Sequence, residues 1–205
     1  MIELDPAAMP PRDVYGLLIG AIAPRPIAFV STLSADGIPN LAPFSFFNGG
    51  GSDPPSVVFS PVHSREGRPK DTLTNIETTG EYVINVVTWE MAEQMNIASA
   101  DFPPEVNEFA EAGFTPAPAR KVKPARVAES PIAFECRLHQ IVRHGSAPLS
   151  ANYVIGEVVY AWVEERVWRD GRIYPPAVHA IGRMGGAWYC RTDEAALFEM
   201  ARPGR

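Results

Sequence analysis

The apolar positions of this chain fall into short runs with two different periods. In "RDVYGLLI", residues 12–19, Val14, Leu17 and Leu18 recur at helical spacing and predict a short leading helix. "PIAFVSTL" is a β-rich run and "IPNLAPFSFF" a second extended run. "ADG" lies between them, a turn in which Gly37 takes positive φ most easily, so the three read as a hairpin that continues into a loop. "PPSVVFSP" predicts a third strand and "EYVINVV" a fourth. Between those two, "KDTLTNIETTG" reads as a short helix with Asp71 as N-cap and Gly80 as its stop.

Helical spacing then returns in "TWEMAEQMNIAS", with Thr88 as candidate cap, and in the shorter "VNEFAEAG". These form a helical insertion at about 88–115, ahead of a proline-rich link at 116–124. "PIAFECRLHQIVRHG" and "YVIGEVVYAWVEERVW" predict long strands with partial alternation, Asp170 and Gly171 another turn, and "AVHAIGRMGGAWYC" a last segment before a polar tail. There is no internal repeat. Strands separated by turns, with helices inserted and not alternating strictly, point to an antiparallel barrel or sandwich and away from a parallel doubly wound sheet.

Length and composition narrow the picture. The 205 residues suit one domain, 1–205, with a core at about 20–190. With 46% hydrophobic and 20% charged residues, disorder, collagen and coiled coil all fit poorly. Proline, 21 of 205, exceeds the usual share of about 5% and clusters between the predicted elements, as loop punctuation does. A net charge of −6, with the richest basic stretch "ARKVKPAR" broken by prolines and small residues, argues against nucleic acid or an anionic membrane as partner. No apolar run is long enough for a membrane span. Cys136 and Cys190 lack CxxC spacing, and the first residues carry acids where a signal peptide carries bases, so reduced cysteines and a cytoplasmic location are expected.

Standard cofactor and hydrolase signatures are missing: GxGxxG after a strand, GxxxxGK[ST], HExxH and GxSxG. His63, His139, His144 and His179 do not sit at metal-ligand spacing. What remains is "NLAPFSFFNGGGSD" with "RPKDTLTN". Pro43 and Phe44 offer apolar surface, Ser45 a hydroxyl, and Asn48 to Gly51 a series of backbone donors, a combination that suits a ring with a polar edge. Lys70, Asp71 and Thr72 open a helix, where free NH groups, an ammonium and a hydroxyl suit a phosphate. Taken separately, Phe44, Phe46 and Phe47 read equally well as core, Gly49 to Gly51 as a turn, and Asp71 as an ordinary cap beside a solvated Lys70.

"PRPIAFVST", "DGIPNLAPFSFF", "DPPSVVFS", "KDTLTNI", "EYVINVV" and "GRMGGAWY" follow one another in the order typical of the flavin reductase-like, FMN-binding split-barrel family, which includes flavoredoxins, and the chain resembles that family over most of residues 20–190. The resemblance implies a mainly β fold with inserted helices: a six-stranded antiparallel Greek-key split barrel, forming a homodimer with FMN near the subunit interface. By position it implies that Ser31 and Thr32 end the strand beside the flavin and that Asn40 to Phe47, including Ala42, Pro43, Phe44, Ser45 and Phe46, line the ring and ribityl region. Ser60 and Pro61 approach the ring from the next strand, Lys70 and Thr72 hold the phosphate, and Arg183 meets the cofactor from its own or the partner chain.

A flavin carries redox chemistry itself, so the missing triad is expected and no catalytic side chain is assigned. The leading expectation is an NADH- or NADPH-dependent flavin reductase that passes electrons to free flavin or a partner oxygenase. The alternatives are a flavoredoxin-like electron carrier with tightly held FMN, a non-enzymatic flavin-binding protein, and a barrel without cofactor.

Overall fold

The protein is described by a computed structural model in which residues 1–204 are placed. Among these described residues five α-helices and thirteen strands follow in this order: α1 Pro11–Ala21, β1 Ala28–Leu33, β2 Pro39–Phe44, β3 Phe47–Ser52, β4 Pro55–Phe59, α2 Asp71–Thr79, β5 Glu81–Val86, α3 Ala92–Ile97, α4 Glu108–Ala112, β6 Pro116–Ala117, β7 Arg126–Val127, β8 Ile132–His144, β9 Ala151–Val163, β10 Trp168–Arg169, β11 Arg172–Ile173, α5 Pro175–Val178, β12 Ile181–Arg183 and β13 Tyr189–Arg191. One antiparallel sheet dominates, with strand order β2-β1-β5-β8-β9-β4-β3; β6 with β7, β10 with β11 and β12 with β13 form small ribbons beside it.

The two edge strands of the large sheet are neighbours in sequence: only Ser45 and Phe46 separate β2 from β3. Laid flat, edges six strand spacings apart would lie about 29 Å from one another. Three backbone steps span about 11 Å at most. The sheet must therefore curl until its edges nearly meet, leaving a slit that the Phe44–Phe47 segment crosses, with Phe46 accepting a 2.8 Å bond from the Ser60 amide. This is a barrel split at one seam.

The main sheet has seven strands where six were expected. The additional one is the glycine segment: "FNGGGS" pairs with β4 through Phe47↔Phe59, Asn48↔Val58 and Gly49↔Val57 and shifts register before Ser52↔Pro55. A Cβ on Gly50 would come within 2.7 Å of Ser56 Oγ, which also accepts the Gly51 amide at 2.8 Å. The glycines thus permit a close backbone approach inside a hairpin, and their exposed strand carries no apolar alternation to reveal it.

Alternation along β1 sends Ala28 and Val30 into the barrel, where they meet Phe59, Leu73, Ile76, Tyr82, Ile84, Cys136 and Val154. Phe29 points the other way, into a second cluster with Leu41, Met91, Met95, Phe109 and Phe114 under the helical insertion. Because both faces are covered, β1 is buried almost throughout and reads as a continuous apolar run. The β1–β2 turn closes with Ser34 N donating to Ile38 O at 2.9 Å and Gly37 at φ 81°. The link at 116–124 is fastened to β8 by Glu135, fully buried, which accepts the amides of Arg120 (2.7 Å) and Lys121 (2.5 Å) and Trp162 Nε1 (2.6 Å). Burial raises the Glu135 pKa, but these donors outweigh it and the net shift is downward.

Helix α2 plugs one end of the barrel through Leu73 and Ile76 and stops at Gly80, left-handed at φ 70°. Its N-cap is Lys70, without a side-chain bond, and Asp71, expected as the cap, is its first helical residue, so the helix starts one residue earlier than the sequence pattern suggested. Thr88 caps a short 3-10 turn, Trp89–Met91, that leads into α3. Both cysteines are free. Among the described residues no helix is long and apolar enough to cross a membrane.

Candidate functional site

At the seam of the barrel the chain folds into a cleft of about 280 Å³. Pro43, Phe44, Ser45 and Phe46 form one wall, Ser60 and Val62 the floor, and Met95, Asn96 and Ser99 of the insertion the opposite side. Lys70 stands at one end, Arg183 and Tyr189 at the other, and Tyr15 of α1 meets the Phe46 ring edge-on at 6.0 Å. A polar lobe of about 100 Å³ continues past Pro43, Phe44, Lys70 and Ser99 to Asn40, Ala42, Asp71, Thr72, Asp101 and Glu108.

Ten of the residues expected from sequence therefore converge here: Asn40, Ala42, Pro43, Phe44, Ser45, Phe46, Ser60, Lys70, Thr72 and Arg183. Four lie elsewhere. Ser31 is buried on the Phe29 side of β1, outside the cleft lining, and donates to Ala125 O. Thr32 sits one layer behind the polar lobe, Phe47 packs against the barrel interior, and Pro61 is buried with its carbonyl accepting from Asn152. The triple glycine does not reach the cleft; it forms the exposed hairpin arm described above.

Asn40 and Asn75 organise the polar lobe. Asn40 Nδ2 donates to Thr72 Oγ1 at 2.9 Å and to Thr32 Oγ1 at 3.2 Å, while Asn75 Nδ2 donates to Thr32 at 3.0 Å. Thr72 accepts in this network, so its own hydroxyl proton remains available to an acceptor in the lobe. The amides of Leu73 and Thr74 bond to Lys70 O, but those of Asp71 and Thr72 precede the first helical bond, and both residues line the same space. Lys70 Nζ lies 2.5 Å from Asp101 Oδ1. That bond, and then the ammonium charge, holds the Asp101 carboxyl below its usual range. Glu108 Oε2 accepts the Leu41 amide at 3.1 Å; burial pushes its pKa up, with Asp71 adding in the same direction, against the two amide bonds that pull it down.

Two features of the wall bear on what the cleft can hold. Ser60 Oγ is buried and has no hydrogen-bond partner among the described residues, although it borders the cavity. A buried hydroxyl without a partner is costly, and a ligand with a polar edge would relieve it. Beside it, an apolar wall and a lobe with ammonium, hydroxyl and free amides fit the two ends of a ring-bearing phosphate ester. The donor set fits FMN.

Sequence reasoning overlooked Arg25. Almost completely buried, it donates to Ser45 Oγ (3.3 Å), to the carbonyls of Ile19 (2.6 Å) and Ile22 (2.5 Å) at the end of α1, and to Met184 O (3.1 Å). Its backbone pairs with that of Arg183 in both directions. One guanidinium thus ties together α1, the Ser45 wall and the late "GRMGG" segment. The signal was present as a charged residue inside the otherwise apolar "PRPIAFV", where it can be buried only if its donors are all used. Asp101 and Glu108, on the insertion, were missed because the helices' spacing says nothing about which wall they face.

The model of the family described as "Flavin reductase like domain" matches residues 20–185. Among solved structures, nitrilotriacetate monooxygenase component B from Bacillus cereus is similar at 32% identity and TM-score 0.91, covering 98% of each chain. The 2-nitrobenzoate 2-nitroreductase of Pseudomonas fluorescens is similar at 31% identity and TM-score 0.88, over 99% of this chain and 97% of that one. A protein with a split barrel domain from Shewanella frigidimarina follows at 26% identity and TM-score 0.80, over 95% and 96%.

Proposed function

The chain belongs to the flavin reductase-like domain family, and on that premise we propose that it is an FMN-binding oxidoreductase, taking electrons from NADH or NADPH and passing them to free flavin or to a partner oxygenase. The observation that carries the reading is a pair of adjoining cavities that share Pro43, Phe44, Lys70 and Ser99, one with an apolar wall beside Ser60 and the other a phosphate-compatible lobe at Lys70 and Thr72. The similarity to a monooxygenase component B favours an oxygenase as the acceptor.

FMN, when bound, supplies a ring that accepts a hydride and releases electrons. In this reading Pro43, Phe44 and Phe46 give it apolar surface, while Ser45 and Ser60 offer hydroxyls to its polar edge. Arg25 holds Ser45 in position from behind. Lys70, Thr72 and the first amides of α2 take the phosphate, and Arg183 closes the far end from within its own chain. A homodimer belongs to the same reading, since α1 leaves Leu17 and Leu18 exposed, with Ile22 exposed just after it, and buries no residue of its own.

The test is the visible spectrum of the purified protein before and after FMN, followed anaerobically by NADH and then NADPH. A bound-flavin band that bleaches with either nicotinamide supports the reductase. A band that persists until dithionite is added replaces it with an electron carrier, and no bound flavin refutes the cofactor.

A further inference from the structure

The polar lobe holds one cation and three carboxylates: Lys70 faces Asp71, Asp101 and Glu108. For a cavity read as a phosphate seat this is an adverse balance. Lys70 is also already engaged, with its Nζ 2.5 Å from Asp101 Oδ1, and among the described residues it is the only hydrogen-bond partner of the Asp101 side chain. Asp101 comes from the segment between α3 and α4, so this contact ties the insertion to the start of α2 at the lining of the lobe. Arg65 and Arg68, on the loop before Lys70, lie close enough to act on the Asp101 charge.

Resting on the FMN reading above, we propose that Asp101 sets how loosely the flavin phosphate is held, by competing for the Lys70 ammonium and by opposing the phosphate with its own charge. A phosphate entering the lobe must take Lys70 from a carboxylate. The Asp101 side chain is 88% exposed and that of Lys70 38%, so the pair is worth little and the exchange is cheap. Occupancy is therefore possible but weakened, and the flavin binds as an exchangeable molecule that can leave for another protein. Asp101 is a positioning and specificity residue, acting through Lys70.

The experiment is equilibrium titration of wild type, Asp101→Asn, Lys70→Ala and the double variant with FMN and, separately, riboflavin, read by flavin fluorescence, with far-UV circular dichroism to confirm folding. Asp101→Asn should tighten FMN roughly threefold to tenfold and slow its dissociation, while leaving riboflavin within about twofold, because only FMN brings the phosphate. The gain should shrink in the Lys70→Ala background. Unchanged or weaker FMN binding by Asp101→Asn overturns the proposal, as does equal tightening of both ligands, which would mark a change of shape and not of charge. Wild type that binds riboflavin and FMN equally refutes a phosphate seat while sparing the flavin reading; wild type that binds neither refutes both.

Discussion

Gly156 of β9 lies against the Tyr82 phenol inside the barrel, so close that a Cβ on it would stand 1.9 Å from the hydroxyl oxygen and 2.8 Å from the ring carbon that bears it. The Arg137 carbonyl, 3.1 Å away on the neighbouring strand, blocks retreat. Gly156→Ala is expected to destabilise the fold by about 1–3 kcal/mol, the usual cost of forcing atoms into a packed core. The loss would appear as a lower urea midpoint, and adding Tyr82→Phe should recover part of it by removing the nearest atom.

Tyr82→Phe alone should behave differently from most core substitutions. The Tyr82 hydroxyl is buried without a hydrogen-bond partner among the described residues, and burial raises the pKa of the phenol. Its removal keeps the ring that fills the barrel and abolishes an unsatisfied polar group, which costs roughly 1–3 kcal/mol to bury. Urea unfolding should show stability equal to or greater than wild type; a clear loss would mean that the hydroxyl has a partner, with the Cys136 thiol beside it the first candidate.

Arg25 joins three segments through one guanidinium, and its truncation strands the carbonyls of Ile19, Ile22 and Met184. Arg25→Ala is expected to cost about 2–3 kcal/mol, as for hydrogen bonds made by a charged group. Lysine should not restore it, because one ammonium cannot reproduce the fork that reaches α1, Ser45 and Met184 together. Hydrogen exchange would locate the effect: the amides of the last turn of α1 and of the 183–185 segment should lose protection before the barrel strands do.

The barrel was readable because its strands carry strong local signals: "PIAFVSTL", "EYVINVV" and the turn at Gly37 all stand where the residue pattern places them. The strand β3 was not, since three glycines carry no alternation and their pairing depends on β4 and the Ser56 hydroxyl. The site divides in the same way. Lys70 and Thr72 lie more than 20 residues from Pro43 to Phe46, and their convergence was legible only through the family resemblance, which carries both motifs together. Ser31 and Phe47 depend on which face of a strand each occupies, and β1 is covered on both. Arg25 and Asp101 act through partners 20 and 31 residues away, a relation that no spacing rule contains.

Lys70→Ala with Thr72→Ala should separate the two lobes. Thr72 is buried and lines the polar lobe alone, while half-exposed Lys70 lines both that lobe and the adjoining end of the apolar cleft. FMN affinity is expected to fall by about tenfold or more, from the loss of charge-assisted bonds, with riboflavin affinity little changed. Thr72→Ser, which keeps the hydroxyl, should bind FMN much as wild type does. Equal losses for FMN and riboflavin would move the phosphate away from α2.

Glu108 provides a pH signature of the lobe. Burial raises its pKa above the ordinary carboxylate value of 4.5, so the folded protein binds the proton more tightly than the unfolded chain does. Ionisation of Glu108 therefore costs stability at pH above the raised value. That cost fades as pH falls through the raised value towards 4.5 and is absent below it. Glu108→Gln keeps an oxygen to accept the Leu41 amide but carries no charge to desolvate. The variant should be more stable than wild type at pH 7, and the difference should close as urea titrations are repeated down to pH 4.5. A difference that grows towards acid would instead make the Glu108 carboxylate a net stabiliser of the lobe, bound to Leu41 more strongly than burial opposes it.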